Sequence, residues 1–150
     1  MMNPFDKLAE LAAQLSDIYA GVAKQHNLTL NELHFLYAVG RSGVVSPSAI
    51  GDKWSLPKQT VTSVCKQLDR KGFLQFESNE QDKRGKQIRL TASGEAFVRP
   101  LIDALTQAEL QVSAQFGEEK FAALLHHFEQ LLQIFSQRLK DIQSSDQAEK

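Results

Sequence analysis

The feature that most constrains this chain is a short amphipathic helix followed directly by two short strands with a charged loop between them. Between Pro57 and Lys71, the apolar residues Val61, Val64 and Leu68 recur at spacings of three and four. That spacing places them on one face of a helix, which must pack against other helices. A proline suits the first helical position, and the glycine that follows Lys71 is typical of a helix end.

The opposite face of this helix carries amides, hydroxyls and lysines, with no carboxylate until its last turn. Gln can hydrogen-bond the edge of adenine, Ser and Thr can reach bases or phosphates, and Lys neutralises phosphate. Any solvated helix face carries the same residue types, so the helix alone leaves both interpretations open. The candidate DNA-contacting residues of this helix are Lys58, Gln59, Thr60, Thr62, Ser63 and Lys66.

Two strands are predicted after the helix, at residues 73–78 and 87–90, joined by a loop at 79–86. A hairpin that follows a candidate DNA-contacting helix is a wing, and basic residues at its tip can enter a minor groove or lie along phosphates. The basic residues of this loop are Lys83, Arg84 and Lys86. A carboxylate near DNA costs energy, so we expect Asp82 to hold the Arg84 guanidinium through a directional ion pair. A solvated turn is the alternative interpretation of the loop.

Several segments occur in a specific order along the chain. They read SPSAI at 46–50, QTVT at 59–62, LDRKGF at 68–73 and DKRGKQIRLTASG at 82–94. This order resembles the MarR family of bacterial transcription regulators, over a range from about Asn27 through the C-terminal helices. The most specific part is the D-x-R tip of the wing, followed without a gap by L-T-x-x-G.

The resemblance implies roles for individual residues. Arg84 would contact the minor groove with Asp82 as its partner, and residues 58–66 would lie in the major groove. Pro57 stands where the family commonly has a hydroxyl cap, which leaves Ser55 as an alternative cap. The resemblance further implies a repressor of transcription, relieved by a small-molecule effector that binds between the dimer helices and the winged segment.

Charge is unevenly distributed along the chain, whose formal net charge is −1. Residues 51–90 contain nine Lys or Arg against five Asp or Glu, whereas the remaining residues contain eight against thirteen. The basic part is therefore the helix and wing, as contact with phosphates requires. No apolar run reaches the length of a membrane span, and the N-terminus is amphipathic rather than signal-like. We expect a cytoplasmic protein with no membrane partner.

The rest of the chain is predicted to be helical. Apolar spacing indicates a long helix over 4–25, and Thr29 with Glu32 forms a capping box for a second helix that ends at Gly40. Ser46 caps a third, short helix, and the stretch 43–45 can add a small strand beside the wing. We predict a turn at Ser55 and Leu56 and place Trp54 in the core. A helix is predicted from Thr91, in which Pro100 causes a kink or a shift in register, and Gly117 is predicted to break it.

The last helix carries more apolar surface than one neighbouring helix would cover. Phe121, Phe128, Phe135 and Ile142 recur at seven-residue spacing, with leucines between them. We expect the surplus to be buried in a second subunit, although an intrachain helical hairpin is the alternative. A two-fold dimer would read a pseudo-palindrome with half-sites about one helical turn apart. The predicted dimer interface comprises Phe5, Leu8, Leu15, Phe121, Leu125, Phe128, Leu132 and Phe135.

The predicted fold is mainly α with a small β-hairpin wing, in a single domain over residues 1–150. Residues 28–91 form the winged helix-turn-helix, 1–27 and 92–143 form dimerisation helices, and 144–150 form a polar, frayed tail.

No enzyme motif is present, so we predict no catalytic residue, no cofactor and no metal site. The adjacent His126 and His127 point about a quarter-turn apart on a helix and do not make a joint site. Cys65, the single cysteine, lies at the edge of a buried stripe and is expected to be a small core residue, with a redox switch as the alternative. The partners expected are double-stranded DNA, a second copy of the chain and a small-molecule effector. Two alternative functions remain: a winged-helix module that binds protein, or a metal-sensing or redox-sensing regulator.

Overall fold

The computed structural model describes residues 2–78 and 86–148. In this part of the chain lie six helices and two strands, which confirms a mainly α fold with a small hairpin. They are α1 (Pro4–Gln25), α2 (Leu30–Ser42), α3 (Pro47–Lys53), α4 (Lys58–Arg70), β1 (Leu74–Ser78), β2 (Lys86–Leu90), α5 (Ala92–Phe116) and α6 (Glu118–Ala148). The chain divides into two compact units, Met1–Asp103 and Ala104–Lys150, and α5 contributes to both.

The capping box predicted at the start of α2 is present. The Glu32 backbone N–H donates to Thr29 Oγ1 at 3.1 Å, and the Thr29 N–H donates to Glu32 Oε1 at 2.9 Å. These two bonds satisfy donors that the first turn of a helix leaves free.

The predicted end of α2 at Gly40 is wrong, because the helix continues to Ser42 and Gly43 follows it. Gly40 is buried, and a Cβ at this position would overlap the side chain of Ile102 on α5. The glycine therefore serves the close approach of α2 and α5 rather than the end of a helix, two roles that look alike in a sequence.

The first unit has an apolar core built from α2, α4, β2 and the first half of α5. The predicted stripe of α4 is confirmed, since Val61, Val64 and Leu68 are all buried. The other large contributors are Leu33, Phe35, Leu36, Val39, Ile50, Ile88, Val98 and Ile102. Burial of this stripe fixes which face of α4 points outward.

The helix-turn-helix consists of α3 and α4. Ser46 caps α3 as predicted, accepting from the Ala49 N–H at 3.2 Å. The turn falls at Ser55 and Leu56 as predicted, with Ser55 at φ +53° and the Leu56 N–H donating to Gly51 O at 2.8 Å. Pro57 is the residue before α4 rather than its first helical residue, and no side chain caps this helix.

The wing is an antiparallel pair in which Leu74 lies opposite Leu90 and Phe76 opposite Ile88. The strand expected at 43–45 is reduced to one bridge, in which Val45 and Ile88 exchange both backbone hydrogen bonds, at 3.1 and 2.8 Å. The tip residues Asp82, Lys83 and Arg84 lie outside the described residues.

The C-terminal helices begin and break where predicted. The Thr91 hydroxyl accepts from the Gly94 N–H at 3.0 Å at the start of α5, which runs through Pro100 as one helix. Gly117, at φ +112°, separates α5 from α6. In the tail expected to fray, residues 144–148 continue α6, and Ser145 Oγ donates to Asp141 O at 3.0 Å.

None of the helices in the described ranges combines the length and the apolar composition that a membrane span requires.

Gly94 supplies a test of the packing between α5 and the wing. A Cβ at this position would overlap the carbonyl of Phe73, which also accepts the Thr91 N–H at 3.0 Å. We therefore expect Gly94→Ala to lower the free energy of unfolding by about 2 kcal/mol, because backbone cannot move aside as a side chain can. Ser93→Ala, at the exposed neighbouring position, should change it by less than about 0.5 kcal/mol. Urea unfolding followed by circular dichroism measures both, and equal stabilities would contradict the close approach.

Candidate nucleic-acid interface

The polar face of α4 forms a continuous exposed surface. Five of the six residues predicted on this helix line one shallow depression of about 430 Å³: Lys58, Gln59, Thr62, Ser63 and Lys66. The sixth, Thr60, is half-buried and lies at the edge of this face. The surface combines two ammonium groups with an amide and two hydroxyls, which suits both phosphates and base edges.

The hydroxyl of Thr62 is already engaged within the helix. Its Oγ1 donates to Lys58 O at 3.1 Å, so in this rotamer the oxygen is free only to accept. Amino groups of adenine and cytosine are donors in the major groove, whereas phosphates only accept. The rotamer therefore favours a base over a phosphate as the partner of Thr62.

A second depression, of about 490 Å³, brings α3, α4 and the wing together. Lys58 and Thr62 of α4 line it with Lys86, the first residue of β2. The helix-turn-helix and the base of the wing thus share one groove, here called the α3–α4–β2 groove. Its lining residues are Pro47, Ser48, Gly51, Asp52, Leu56, Lys58, Val61, Thr62 and Lys86.

Two polar residues of this groove were missed in the sequence. Ser48 lies in the first turn of α3, where its hydroxyl is 3.3 Å from that of Ser46. Asp52 is the carboxylate of a groove that otherwise carries two lysines. The position of Ser48 just after a helix cap was the available signal, whereas nothing local to Asp52 connects it with the wing.

The start of α4 adds backbone donors to the same surface. Because Pro57 provides no side-chain cap, the N–H groups of the first turn are not used by a capping side chain. Such donors, with the positive end of the helix dipole, favour an anion such as phosphate.

The wing carries an ion pair that the sequence did not suggest. Arg89 Nε lies 3.0 Å from Glu77 Oε1, across the two strands. Arg89 lies two residues from Gln87, which is directly opposite Glu77, and alternate residues of a strand share a face. Both charged residues are therefore on the same face of the hairpin. The pair reduces the positive charge that Arg89 presents.

The residues predicted for a dimer interface remain accessible in the single chain. Leu8 and Phe121 are half-buried, and the other six are exposed, from 38% at Phe5 to 59% at Leu15. No residue of α6 is buried over its described length, Glu118–Ala148. Their assignment to an interface stays a prediction.

His34 packs on a tryptophan ring, whereas His126 and His127 are exposed neighbours on α6. His34 stacks on Trp54 with ring centroids 4.0 Å apart, and burial lowers the pKa of His34. Trp54 is half-buried at the end of α3. The rings of His126 and His127 are tilted by 56°. In the part of the chain that the structure describes, no group of three or more His, Cys, Asp or Glu could hold a metal ion.

Helix-turn-helix, wing and an outward polar helix face together define a winged helix-turn-helix protein. The sequence model of the MarR family matches residues 26–85. NMB1585, a MarR family regulator from Neisseria meningitidis, has a structure that superimposes with a TM-score of 0.82 at 30% sequence identity, covering 93% of this chain and 99% of that one. The chain therefore belongs to the MarR family of transcriptional regulators, which confirms the resemblance found in its motifs.

Two curated relatives are also regulators. The Homoprotocatechuate degradative operon repressor of Escherichia coli is 24% identical over 121 residues, which are 81% of this chain and 82% of that protein. The HTH-type transcriptional regulator SarZ of Staphylococcus haemolyticus is 28% identical over 88 residues, and the match spans 59% of each protein's length.

Cys65 supplies a test of the redox alternative. It is buried on α4, as expected of a small core residue, and burial raises the pKa of its thiol to about 11. Because the thiolate is the reactive form, we expect a disulfide reagent at neutral pH to react at least about tenfold more slowly with the folded protein than with the protein in urea. Cys65→Ser is the blank for both rates. Rapid reaction of the folded protein would contradict the buried, neutral thiol and favour a redox switch.

Proposed function

We propose that this protein is a sequence-specific transcriptional regulator that acts as a homodimeric repressor on a pseudo-palindromic operator. The observation that carries the proposal is the α3–α4–β2 groove, where Lys58, Thr62 and Lys86 line one surface. Phosphate contacts position such a protein on the duplex, and base contacts select the sequence. The exposed face of α4 has side chains suited to both.

In this proposal α4 enters the major groove. Gln59, Thr62 and Ser63 contact base edges, while Lys58 and Lys66 neutralise phosphates on either side. Lys86 contacts the backbone from the base of the wing, and Lys83 and Arg84 reach the adjacent minor groove with Asp82 orienting Arg84. The family's wing motif supports the last assignment, since those tip residues lie outside the described part of the chain.

A second copy of the chain covers the apolar faces of α1 and α6. On α6, Leu125, Phe128, Leu132 and Phe135 are between 39% and 51% exposed, a continuous stripe of large side chains. Exposed apolar area of this extent typically marks an interface. The stripe fits a second copy because a two-fold axis pairs it with itself and separates two α4 helices by roughly 34 to 36 Å, one turn of DNA.

The repressor role is proposed by analogy with a relative, and its relief by an effector is a further part of the proposal. The E. coli protein is named as the repressor of a degradative operon. A repressor responds to a ligand only if the ligand binds its two conformations with different affinity. We propose that a small molecule stabilises a dimer whose α4 spacing no longer matches the half-sites. Homoprotocatechuate is the first compound to test, and its failure to release bound operator would exclude it as the effector.

DNA binding is tested by fluorescence anisotropy of the purified protein on the duplex flanking its own coding region and on a scrambled duplex, over a salt series. We expect tighter binding to the flanking duplex, and an affinity that falls steeply with salt as counterions are released. Arg84→Ala should weaken this binding by about 1–3 kcal/mol. Lys120→Ala is the control, because Lys120 lies on α6 with its ammonium 4.6 Å from the Phe116 ring.

Equal losses in Arg84→Ala and Lys120→Ala would contradict the role of the wing. No binding of the unaltered protein to either duplex at low salt would favour a winged-helix module that binds protein.

The dimer is tested by a charge placed within the α6 stripe. Phe128→Glu should convert the dimer to a monomer, because it buries a carboxylate without a partner in the interface. Ile134→Glu is the matched control, since Ile134 is 63% exposed but lies outside the seven-residue repeat. Light scattering after gel filtration gives the mass of each variant. A monomeric unaltered protein, or a dimer that survives Phe128→Glu, would contradict the interface.

A further inference from the structure

Among the charged residues that the structure describes, Glu32 is the one that is buried, and its side chain is only 5% exposed. It lies in the first turn of α2, where its carboxylate accepts the Thr29 N–H in the capping box. A capping residue needs only one carboxylate oxygen for this bond and is usually solvated. The burial of Glu32 therefore requires a partner for its charge.

That partner is Lys71, the residue that ends the recognition helix α4. Lys71 Nζ lies 2.8 Å from Glu32 Oε2, and the two groups form an ion pair. The same ammonium donates to Asn27 O at 3.3 Å, in the turn between α1 and α2. One side chain thus ties the end of α4 to both the start of α2 and the turn before it.

The charge of Glu32 is maintained in spite of its burial. Burial alone would raise the pKa of Glu32, but the Lys71 ammonium and the Thr29 donors outweigh it, so the pKa lies below its usual value. Glu32 is therefore ionised at neutral pH. Removal of Lys71 would leave the buried Glu32 carboxylate without its ion-pair partner. The attraction between the two charges offsets the cost of burial only when their geometry is good, so the pair is sensitive to small shifts of α4 against α2.

We propose that Glu32 and Lys71 form a positioning latch for DNA recognition, which sets the angle of α4 on α2 and so the depth of its polar face in the major groove. The proposal rests on the proposed DNA binding. Neither residue needs to contact the operator: Glu32 is buried, and Lys71 follows the last candidate contact, Lys66, by more than one helical turn. Through Asn27 O, the latch also connects α4 with the turn that follows α1, the helix proposed for the dimer.

The test uses variants that keep the shape of the latch and remove its charge. Glu32→Gln retains a capping box, since Gln serves at this position too. We expect it to lower the affinity for the flanking duplex about tenfold, with an unchanged salt slope because the phosphate contacts remain. Affinity for a scrambled duplex should change less, so the ratio of the two affinities falls. A merely destabilising substitution would not lower that ratio in folded protein.

Lys71 provides the matched controls. Lys71→Met should lower the affinity for the flanking duplex as Glu32→Gln does. Lys71→Arg keeps the ion pair and should bind nearly as the unaltered protein does. Glu32→Gln combined with Lys71→Met should lose no more affinity than either substitution alone. Val98→Ala, a core change on α5, controls for stability, and all affinities are measured where circular dichroism shows a folded protein.

The outcomes separate the two proposals. If the unaltered protein binds its flanking duplex and both Glu32→Gln and Lys71→Met bind equally well, the latch is wrong and the DNA-binding proposal stands. Additive losses in the double variant would also overturn the latch, because they would show two independent contacts. If Glu32→Gln does not fold, the comparison of Lys71→Met with Lys71→Arg decides. If the unaltered protein binds no DNA, the proposed function and the latch both fail.

Discussion

Burial of the apolar stripe of α4 is the interaction on which the rest of the structure depends. Val61, Val64 and Leu68 are held in the core of the first unit, and the helix has no freedom to rotate without exposing them. The opposite face must then point outward, with its amides, hydroxyls and lysines. Core packing thus decides which face of α4 is exposed and available to DNA. The DNA sequence that this face would bind depends on the identity of its side chains.

The two ends of α4 differ in their contacts. At its start, no side chain caps the first turn, which lies beside the α3–α4–β2 groove. Its backbone N–H groups can therefore bind an anion. At its end, Lys71 is held by the Glu32 carboxylate and by the carbonyl of Asn27, in the turn between α1 and α2. In the proposed latch, a change at the turn between α1 and α2 would reach the end of α4 through Lys71. That arrangement suits a regulator whose affinity must respond to a change elsewhere in a dimer.

Local signals in the sequence predicted most of the fold, and the errors occurred where a residue's role depended on a distant one. The capping box at Thr29, the cap at Ser46 and the turn at Ser55 were legible because their partners lie within a few residues. Gly40 was misread because its reason is Ile102, sixty-two positions away. The contribution of Asp52 to the groove and the pairing of Glu32 with Lys71 were missed for the same reason. The outward-facing side of α4 was predicted correctly because the helical period of its apolar residues alone defines it.

In the proposed complex, two α4 helices related by a two-fold axis lie in successive major grooves of one duplex. Hydroxyl-radical footprinting of the protein on the DNA flanking its coding region tests this arrangement, because it maps contacts on both strands at single-nucleotide resolution. We expect two symmetric sets of protected positions with centres about 10 base pairs apart. A single protected patch, or uniform weak protection along the duplex, would contradict it.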